Sequence, residues 1–350
     1  MTNSFEPIEI LVADSTSTNE ATVRYEMITP LIRLKIETEQ ITLDLTSQIH
    51  IHTNNQTIFD RYNLLKIEGR TLPLFSGTSR NVFLNNPLLV CDFPCNNPFQ
   101  APNLSSIVLD NFLISLALFK TTNTKLKEGP KITIPFSSSG KGILFNVNGS
   151  DDSQDHNAQW YELSKEEWKE FKDFYTKLKP LLEVNDEHIK HAINFYTKAS
   201  RTEEIIEKFI FLIISLEALF SSLRGGIKQG ITYGSSLLLG ETFEARSNIQ
   251  KVTGQIYEKR SKLFHGSSSA RPTVVDFRYL NEIIRTSILQ YLSLFSLGHD
   301  NPTDELSSLI LKQDQNEYRQ FQSDKLSVFG KISNFRYNNI VDIKTVDSLL

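Results

Sequence analysis

The sequence of residues 186–223 is DEHIKHAINFYTKASRTEEIIEKFIFLIISLEALFSSL, and this stretch decides the fold of the second half of the chain. Apolar side chains recur in it every three to four residues, which is the period of an α-helix packed on one face. The pattern breaks near residue 201 and therefore predicts two helices, over 186–200 and 202–223. The second helix is apolar on nearly all sides, so we expect it at the centre of a helical bundle.

The helical period continues on both sides of this stretch. Two further helices are predicted over 245–265 and 274–297, and Gly266 supplies the expected stop after the first of them. On the N-terminal side, Ser164 and Glu167 have the spacing of a capping box and precede an apolar stripe that ends near residue 181. Residues 185–300 are thus predicted to form an all-α bundle.

The first 150 residues follow a period of two instead. Apolar and polar residues alternate over 31–36, 41–45 and 49–51, and further strands are predicted over 8–12, 64–68, 131–136 and 143–147, with one helix over 109–120. Residues 146–159 are polar and rich in Gly, Ser and Asp, as in a linker. The predicted class is α+β: a β-rich domain over 1–150, a linker and connecting helix over 151–184, then the bundle.

The remaining residues, 301–350, are predicted to form a C-terminal extension to which the sequence assigns no role. A short helical pattern covers 304–321, and a weak alternation begins at Lys325. The chain of 350 residues is long enough for two or three domains, and its 39% of apolar residues is typical of packed globular proteins.

The charge distribution excludes two classes of function and favours one region of the chain. A net charge of -4 excludes a uniformly basic nucleic-acid coat and a strongly acidic mimic of nucleic acid. Residues 185–300 are the only net-positive segment, with 14 Lys and Arg against 12 Asp and Glu. Within residues 245–285 the count is eight against three, so an anion is expected to bind there.

Two sequence features bear on location. The opening MTNSFEPIE lacks the basic and apolar regions of a signal peptide, and two cysteines do not make a disulfide framework, so we expect a cytoplasmic protein. The longest apolar stretch, residues 209–220, contains Ser215 and Glu217 and is shorter than the roughly 20 residues that span a bilayer. No membrane association is expected.

Metal and nucleotide motifs are weak. Cys91 and Cys95 combined with His50 and His52 would give the ligands of a Cys2His2 zinc site, but the spacing is not a standard ligand pattern. The glycine-rich segments 140–142 and 225–230 lack the Gly-Lys-Ser/Thr ending of a P-loop and are predicted to be turns. We therefore expect no metal and no cofactor.

The sharpest local signal is RSKLFHG over residues 260–266, with Arg260 and His265 at the end of a basic helix. Two residues five apart lie about 140° apart around an ideal helix. They share a site only if the helix unwinds near Gly266 or the fold turns both toward one cleft. The alternative is a surface Arg followed by a His at a helix C-terminus, where the helix dipole favours the imidazolium form.

Glu217 is a second candidate, because a carboxylate inside an apolar helix is costly unless it is paired. Glu217, Ser221 and Arg224 fall at positions i, i+4 and i+7 and would form one polar strip. The sequence leaves two roles open for Glu217, a structural partner of Arg260 and a direct part in catalysis. Tyr257, one turn before Arg260, either stacks on a base or belongs to the core.

Three blocks in order and spacing resemble the Apea-like HEPN family over residues 186–297. They are SLEAL over 215–219, the connection over 231–240, and residues 260–266, which are similar to the family's R-x4-H motif. The segment LDNFLISLALFK over 109–120 also resembles the preceding helical element of such proteins.

This resemblance implies a metal-independent endoribonuclease that acts as a homodimer on RNA. Arg260 and His265 would be the active pair, with Glu217, Tyr257 and Arg224 as supporting or substrate-binding residues, together with Ser261 and Lys262 inside the motif. Proteins of this kind are often prokaryotic anti-phage or abortive-infection effectors, which implies a trigger sensed by the β-rich domain. The alternatives are a non-catalytic HEPN module that binds RNA or nucleotides, an adapter that only dimerises, and a partner of a nucleotidyltransferase modified on tyrosine.

Overall fold

The computed structural model describes 8–10, 23–32, 34–36, 40–44, 49–53, 56, 64–67, 70–73, 83–96, 100–120, 127–128, 131–135, 145–147, 161–183, 186–202, 204–220, 226–265, 271–299, 302, 305, 308 and 315–333. These residues are mostly helical, with an antiparallel sheet in the N-terminal half, in agreement with the predicted α+β class. None of the helices in these ranges is long and apolar enough to cross a membrane.

The chain divides into two compact units. Unit 1 comprises Met1–Leu113 and Asn123–Thr176, and unit 2 comprises Ile114–Thr122 and Lys177–Leu350. Most of the predicted connecting helix therefore belongs to unit 1, and the described part of the C-terminal extension belongs to unit 2. The predicted linker over 151–160 lies outside the described residues.

Unit 1 is built from twelve described strands, and each strand predicted from alternation overlaps one of them. The strands are β1 (Ile8–Ile10), β2 (Val23–Ile32), β3 (Leu34–Ile36), β4 (Gln40–Asp44), β5 (Ile49–His52), β6 (Leu64–Ile67), β7 (Arg70–Pro73), β8 (Leu88–Cys95), β9 (Lys127–Glu128), β10 (Lys131–Pro135), β11 (Phe145–Val147) and β12 (Tyr161–Leu163). The main sheet has the order β11-β10-β2-β8-β5-β4, with β9 also paired to β2, and small sheets join β1-β6-β7 and β12-β3.

The sequence analysis missed β8, which lies between β2 and β5 in the main sheet. Its sequence LLVCDFPC is buried at six of eight positions, on both faces, and so shows no alternation. A central strand covered on both sides has the same short apolar run as a buried helix segment. Its partners are antiparallel, with Met27 opposite Cys91 and Ile49 opposite Cys91 on the other side.

Two helices complete the described part of unit 1, and an aromatic cluster packs between them. Helix α1 (Ala101–Phe119) begins eight residues before the predicted start, and helix α2 (Lys165–Leu178) follows the predicted capping box. The Ser164 hydroxyl accepts from the Glu167 N–H at 3.2 Å, and the Ser164 N–H donates to the Glu167 carboxylate at 2.9 Å. The cluster consists of Phe112, Trp168, Phe171, Phe174 and Tyr175.

Unit 2 is a helical bundle, and its described α-helices besides the end of α1 are α3 (Glu187–Arg201), α4 (Ile205–Phe220), α5 (Ile227–Leu239), α6 (Phe243–Phe264), α7 (Val274–Ser296) and α8 (Gln315–Asp324). Helices α3 and α4 form a hairpin in which the Ser215 hydroxyl donates to the Ala192 carbonyl at 2.7 Å. Helix α4 is central, as its composition predicted. Helix α7 is covered even more completely, because every residue over 283–294 is buried.

The turns predicted over residues 227–230 are wrong, since this segment begins helix α5. Gly226 precedes the helix with a φ of 90°, a conformation that favours glycine. Glycine inside a helix costs roughly 1 kcal/mol relative to alanine, which hid the helix from the sequence pattern. In the fold, Gly230 and Gly234 lie among the buried residues of α5.

The C-terminal extension packs on the bundle, and the alternation predicted from Lys325 onward is wrong over the described residues. After α8 the chain forms turns and a short 3-10 helix, Gly330–Ser333. Phe321 and Phe329 are buried, and the Gln290 side chain donates to the Ser333 carbonyl at 2.9 Å. Phe321, Lys325, Phe329 and Ser333 of this segment therefore belong to the core of unit 2.

Lys325 connects this extension to helix α5 through its buried ammonium group. It is 1% exposed, and its ammonium donates to the Leu238 carbonyl in the last turn of α5. Burial lowers the pKa of Lys325 from 10.5 to about 8. Between these two pH values the unfolded chain binds a proton that the folded chain does not, so folding stability rises with pH across this window.

We expect this slope to disappear in Lys325→Met. The free energy of unfolding of the intact chain should gain about 3 kcal/mol relative to the variant between pH 8 and 10.5, because one pKa unit corresponds to about 1.4 kcal/mol. Denaturant titrations at a series of pH values measure this difference. Lys331→Met is the matched control, since Lys331 is exposed in the same segment. Parallel stability curves for the intact chain and Lys325→Met would contradict the assignment.

Candidate functional site

Helix α6 carries the R-x4-H residues and remains regular up to its last turn. Thr242 is its N-cap residue, and the Thr242 hydroxyl accepts from the Ala245 N–H at 3.1 Å. It ends at Phe264, and His265 is the C-cap residue with φ -87° and ψ 12°. The His265 N–H donates to the Ser261 carbonyl at 3.2 Å. The helix therefore does not unwind between Arg260 and His265, and Gly266 lies outside the described residues.

Arg260 forms an ion pair with Glu217 of α4. Its Nη2 atom lies 3.1 Å from Oε1 and 3.4 Å from Oε2 of the carboxylate, and both side chains are mostly buried. A buried carboxylate is costly unless it is paired, and the Arg260 guanidinium is the partner of the Glu217 carboxylate. The pairing favours the structural role of Glu217 and also fixes the position of Arg260.

Two aromatic rings hold the Arg260 guanidinium on either side along α6. Its Cζ atom lies 5.4 Å from the ring centroid of Tyr257 and 4.9 Å from that of Phe264. Residues at i-3 and i+4 fall on the same stripe of a helix as residue i. The guanidinium is thus fixed by one carboxylate and two cation–π contacts.

Burial of Glu217 raises the pKa of its carboxyl above its ordinary value, and the Arg260 charge and a hydrogen bond from Tyr257 offset only part of this rise. The Tyr257 ring is half-buried and contacts the Arg260 guanidinium. This position agrees better with the core interpretation of Tyr257 than with an open stacking surface. Arg260 keeps one unused donor: its Nε atom is buried and has no hydrogen-bond partner among the described residues.

His265 stands at the exposed end of this arrangement. Within the described part of the chain its imidazole makes no hydrogen bond or ion pair. Ser261, Lys262 and Phe264 are exposed as well. The structure thus brings Arg260, Glu217 and Tyr257 into contact and leaves His265 and Lys262 open to solvent. Arg224 and Ser221, the other members of the predicted polar strip, lie outside the described residues.

Two residues near this site were missed by the sequence analysis. Phe264 lay inside the motif but was treated only as a spacer between Arg260 and His265. His188, at the start of α3, places its Nδ1 atom 3.1 Å from the carbonyl of Ala218, the residue after Glu217. No local pattern connects positions 30 residues apart, so only the helical hairpin reveals the second contact.

Lysine side chains on and beside α6 form ion pairs with carboxylates. Lys228 of α5 lies 2.7 Å from Glu258, and Lys259 lies 2.6 Å from Asp276 of α7. Asp276 also completes the capping box of α7 with Thr273. The positive charge that remains exposed at the end of α6 is that of Lys262, next to His265.

The zinc hypothesis is contradicted by the register of the main sheet. His50 of β5 is opposite Val90 of β8, whereas Cys91 is opposite Ile49. Residues paired across strands point to the same face and neighbours along a strand point to opposite faces, so the histidines and Cys91 face away from each other. Among the described residues, no group of three or more His, Cys, Asp or Glu is arranged to hold a metal ion.

Comparison of the chain with protein-family models, with curated proteins and with solved structures finds no match in any of the three.

Proposed function

We propose that unit 2 is a metal-independent endoribonuclease of the HEPN type, with Arg260 as the phosphate-binding residue and His265 as the acid–base residue. The observation that supports this most is the end of α6. A guanidinium held by Glu217, Tyr257 and Phe264 lies five residues before an exposed histidine on the same helix. The guanidinium of arginine can donate two parallel hydrogen bonds to phosphate oxygens, and the imidazole of histidine is the side chain that ordinarily titrates near neutral pH.

The residue types suit cleavage of RNA by its own 2′-hydroxyl. A base removes the proton of the 2′-OH, the oxygen attacks the adjacent phosphorus, and the bond from phosphorus to the 5′-oxygen breaks. The departing 5′-oxygen takes a proton, and the products are a 2′,3′-cyclic phosphate and a 5′-hydroxyl. A cation beside the phosphate stabilises the developing negative charge. The buried Nε of Arg260 is a spare donor that a small shift of the guanidinium would offer to a phosphate oxygen.

The proposed active form is a homodimer. The motif supplies one histidine per chain, whereas the reaction needs both a base and an acid. A two-fold axis places the same surface of two copies together, so the two ends of α6 would supply both His265 side chains to one cleft. The β-rich unit 1 is proposed to sense a trigger, and we place the protein among prokaryotic anti-phage or abortive-infection effectors.

One observation favours a second candidate, a non-catalytic module that binds RNA or dimerises. The Arg260–Glu217 ion pair joins α6 to α4 and uses the motif arginine as a helix-to-helix contact. In this alternative the exposed charges at the end of α6 bind a partner and no bond is broken.

Incubation with RNA in excess EDTA distinguishes the two. The purified chain is expected to cut a single-stranded RNA oligomer and to leave 2′,3′-cyclic phosphate ends, which mass spectrometry of the fragments identifies. An oligomer with a 2′-deoxy nucleotide at the cut position is the matched control, because it lacks the attacking hydroxyl. We expect it to stay intact at that position.

Three results would contradict the proposed enzyme. The first is fragments with 3′-hydroxyl ends, and the second is equal cutting of the ribose and 2′-deoxy positions. The third is RNA that stays intact with the purified chain alone and also when lysate of phage-infected cells is added as a source of the trigger. RNA binding without any cleavage under all these conditions would establish the second candidate instead.

A further inference from the structure

Phe264 is a large aromatic side chain on the last turn of α6, and 61% of it is exposed. Phe209, Phe220 and Tyr291 of unit 2 are buried in the core, whereas Phe243 and Tyr233 are, like Phe264, exposed (81% and 45%). Exposure alone does not indicate a ligand, because single exposed apolar residues are common on protein surfaces. Phe264 differs from Phe243 in that it contacts Arg260 of the candidate site.

The ring of Phe264 is held in place from within the protein. The Arg260 guanidinium lies 4.9 Å from its centroid, and Arg260 is itself fixed by Glu217 and Tyr257. The ring is therefore a supported surface on a rigid helix. A ligand that stacks on it loses little side-chain entropy.

The surroundings of this ring are polar and cationic. Ser261, Lys262 and His265 are exposed within three residues of it. Sites for single-stranded nucleic acid combine cations that follow the backbone with aromatic rings on which bases stack. We propose that Phe264 stacks on a base of single-stranded RNA next to the phosphate bound by Arg260. The inference rests on the proposed function and adds a base-contacting residue to it.

Single-stranded RNA fits this surface better than duplex RNA does. In a duplex every base is already stacked between its neighbours, and the bases of an A-form helix are recessed from an approaching ring. A base in a single strand or a loop is free to turn out and cover Phe264. The base that covers Phe264 is therefore an unpaired one.

A second copy of the chain fits less well as the occupant of the ring itself. A two-fold contact made directly through Phe264 would set Lys262 and Arg260 of one protomer against the same cations of its partner. Juxtaposed like charges without counterions oppose association. RNA phosphates in a shared cleft neutralise these charges, which is compatible with the proposed dimer.

The test measures RNA binding by the full chain in a His265→Ala background, where the proposed cleavage is absent. Stacking of one base contributes about 1 to 3 kcal/mol, so Phe264→Leu should raise the Kd for a labelled unpaired oligomer about tenfold, and Phe264→Trp should not weaken it. Phe243→Leu is the matched control, because Phe243 is 81% exposed on the first turn of the same helix. Its Kd should be unchanged.

An abasic nucleotide moved along the oligomer locates the stacked base. At one position the abasic nucleotide is expected to lower the affinity of the parent, His265→Ala, about tenfold. The same nucleotide should not lower the affinity of Phe264→Leu any further. Equal affinity of the parent and Phe264→Leu would overturn the proposal. A second result would also overturn it: Phe264→Leu loses affinity for RNA and sediments as a monomer instead of a dimer, while no abasic position weakens binding by the parent. Phe264 would then contact protein.

The failure of this inference is distinguishable from that of the proposed function. Cleavage by the intact chain with Phe264→Leu binding unchanged removes the stacking role and keeps the enzyme. RNA binding that depends on Phe264 without cleavage keeps the stacking role and removes the enzyme. A chain that binds no unpaired RNA removes both.

Discussion

Replacing His265 by alanine is expected to lower the rate of RNA cleavage by about 10² to 10⁴-fold, which is the usual contribution of a positioned acid–base side chain. The substitution leaves the fold intact because His265 is exposed at the C-cap and its backbone, not its imidazole, closes the helix. Single-turnover cleavage of a labelled oligomer measures the loss. His191→Ala is the matched control, since His191 is exposed on α3 and only pairs with Glu187 at 3.8 Å.

A mixing experiment tests whether the two copies share one cleft. Intact chain is equilibrated with increasing amounts of the His265→Ala variant at constant total concentration. If both histidines of a dimer act in one cleft, cleavage falls with the square of the intact fraction, because mixed dimers lack one proton-transfer group. A linear fall means that each chain cuts alone, and cleavage by pure His265→Ala at the intact rate removes His265 from the mechanism.

The helix that carries the motif and the helix that follows it were predictable because their signals are local. The expected helices over 245–265 and 274–297 are found as Phe243–Phe264 and Val274–Ser296. Apolar periodicity acts within one or two turns of chain. The same holds for the capping box that begins α2.

The elements that were missed depend on tertiary structure. Strand β8 lacks alternation because both of its faces are covered, and α5 contains Gly230 and Gly234, which disfavour a helix locally and are buried in the fold. Of the candidate site, the sequence supplied Arg260 and offered Glu217 as its partner. It did not supply the role of Phe264, because exposure at a helix end depends on which neighbours pack there.

Replacing Arg285 by methionine is expected to destabilise unit 2 by about 3 to 5 kcal/mol, the usual cost of removing one member of a buried ion pair. Arg285 is 6% exposed and lies 2.6 Å from the Glu282 carboxylate. The same guanidinium donates to the carbonyls of Leu118 and Ile332, at 3.0 and 2.9 Å. One side chain thus joins α7, the end of α1 and the C-terminal extension, and all three lose this donor together.

Denaturant unfolding followed by the circular dichroism of the helices measures this loss in unit 2. Tryptophan fluorescence reports unit 1 in the same sample, because the two tryptophans, at positions 160 and 168, both belong to unit 1. The double variant Arg285→Met/Glu282→Met is the matched control. It removes both charges and should recover much of the stability, since the main penalty of the single variant is a buried carboxylate without its cation. A single variant within 1 kcal/mol of the intact chain, or a double variant no more stable than the single one, would show that Arg285 is not the buried junction of these three segments.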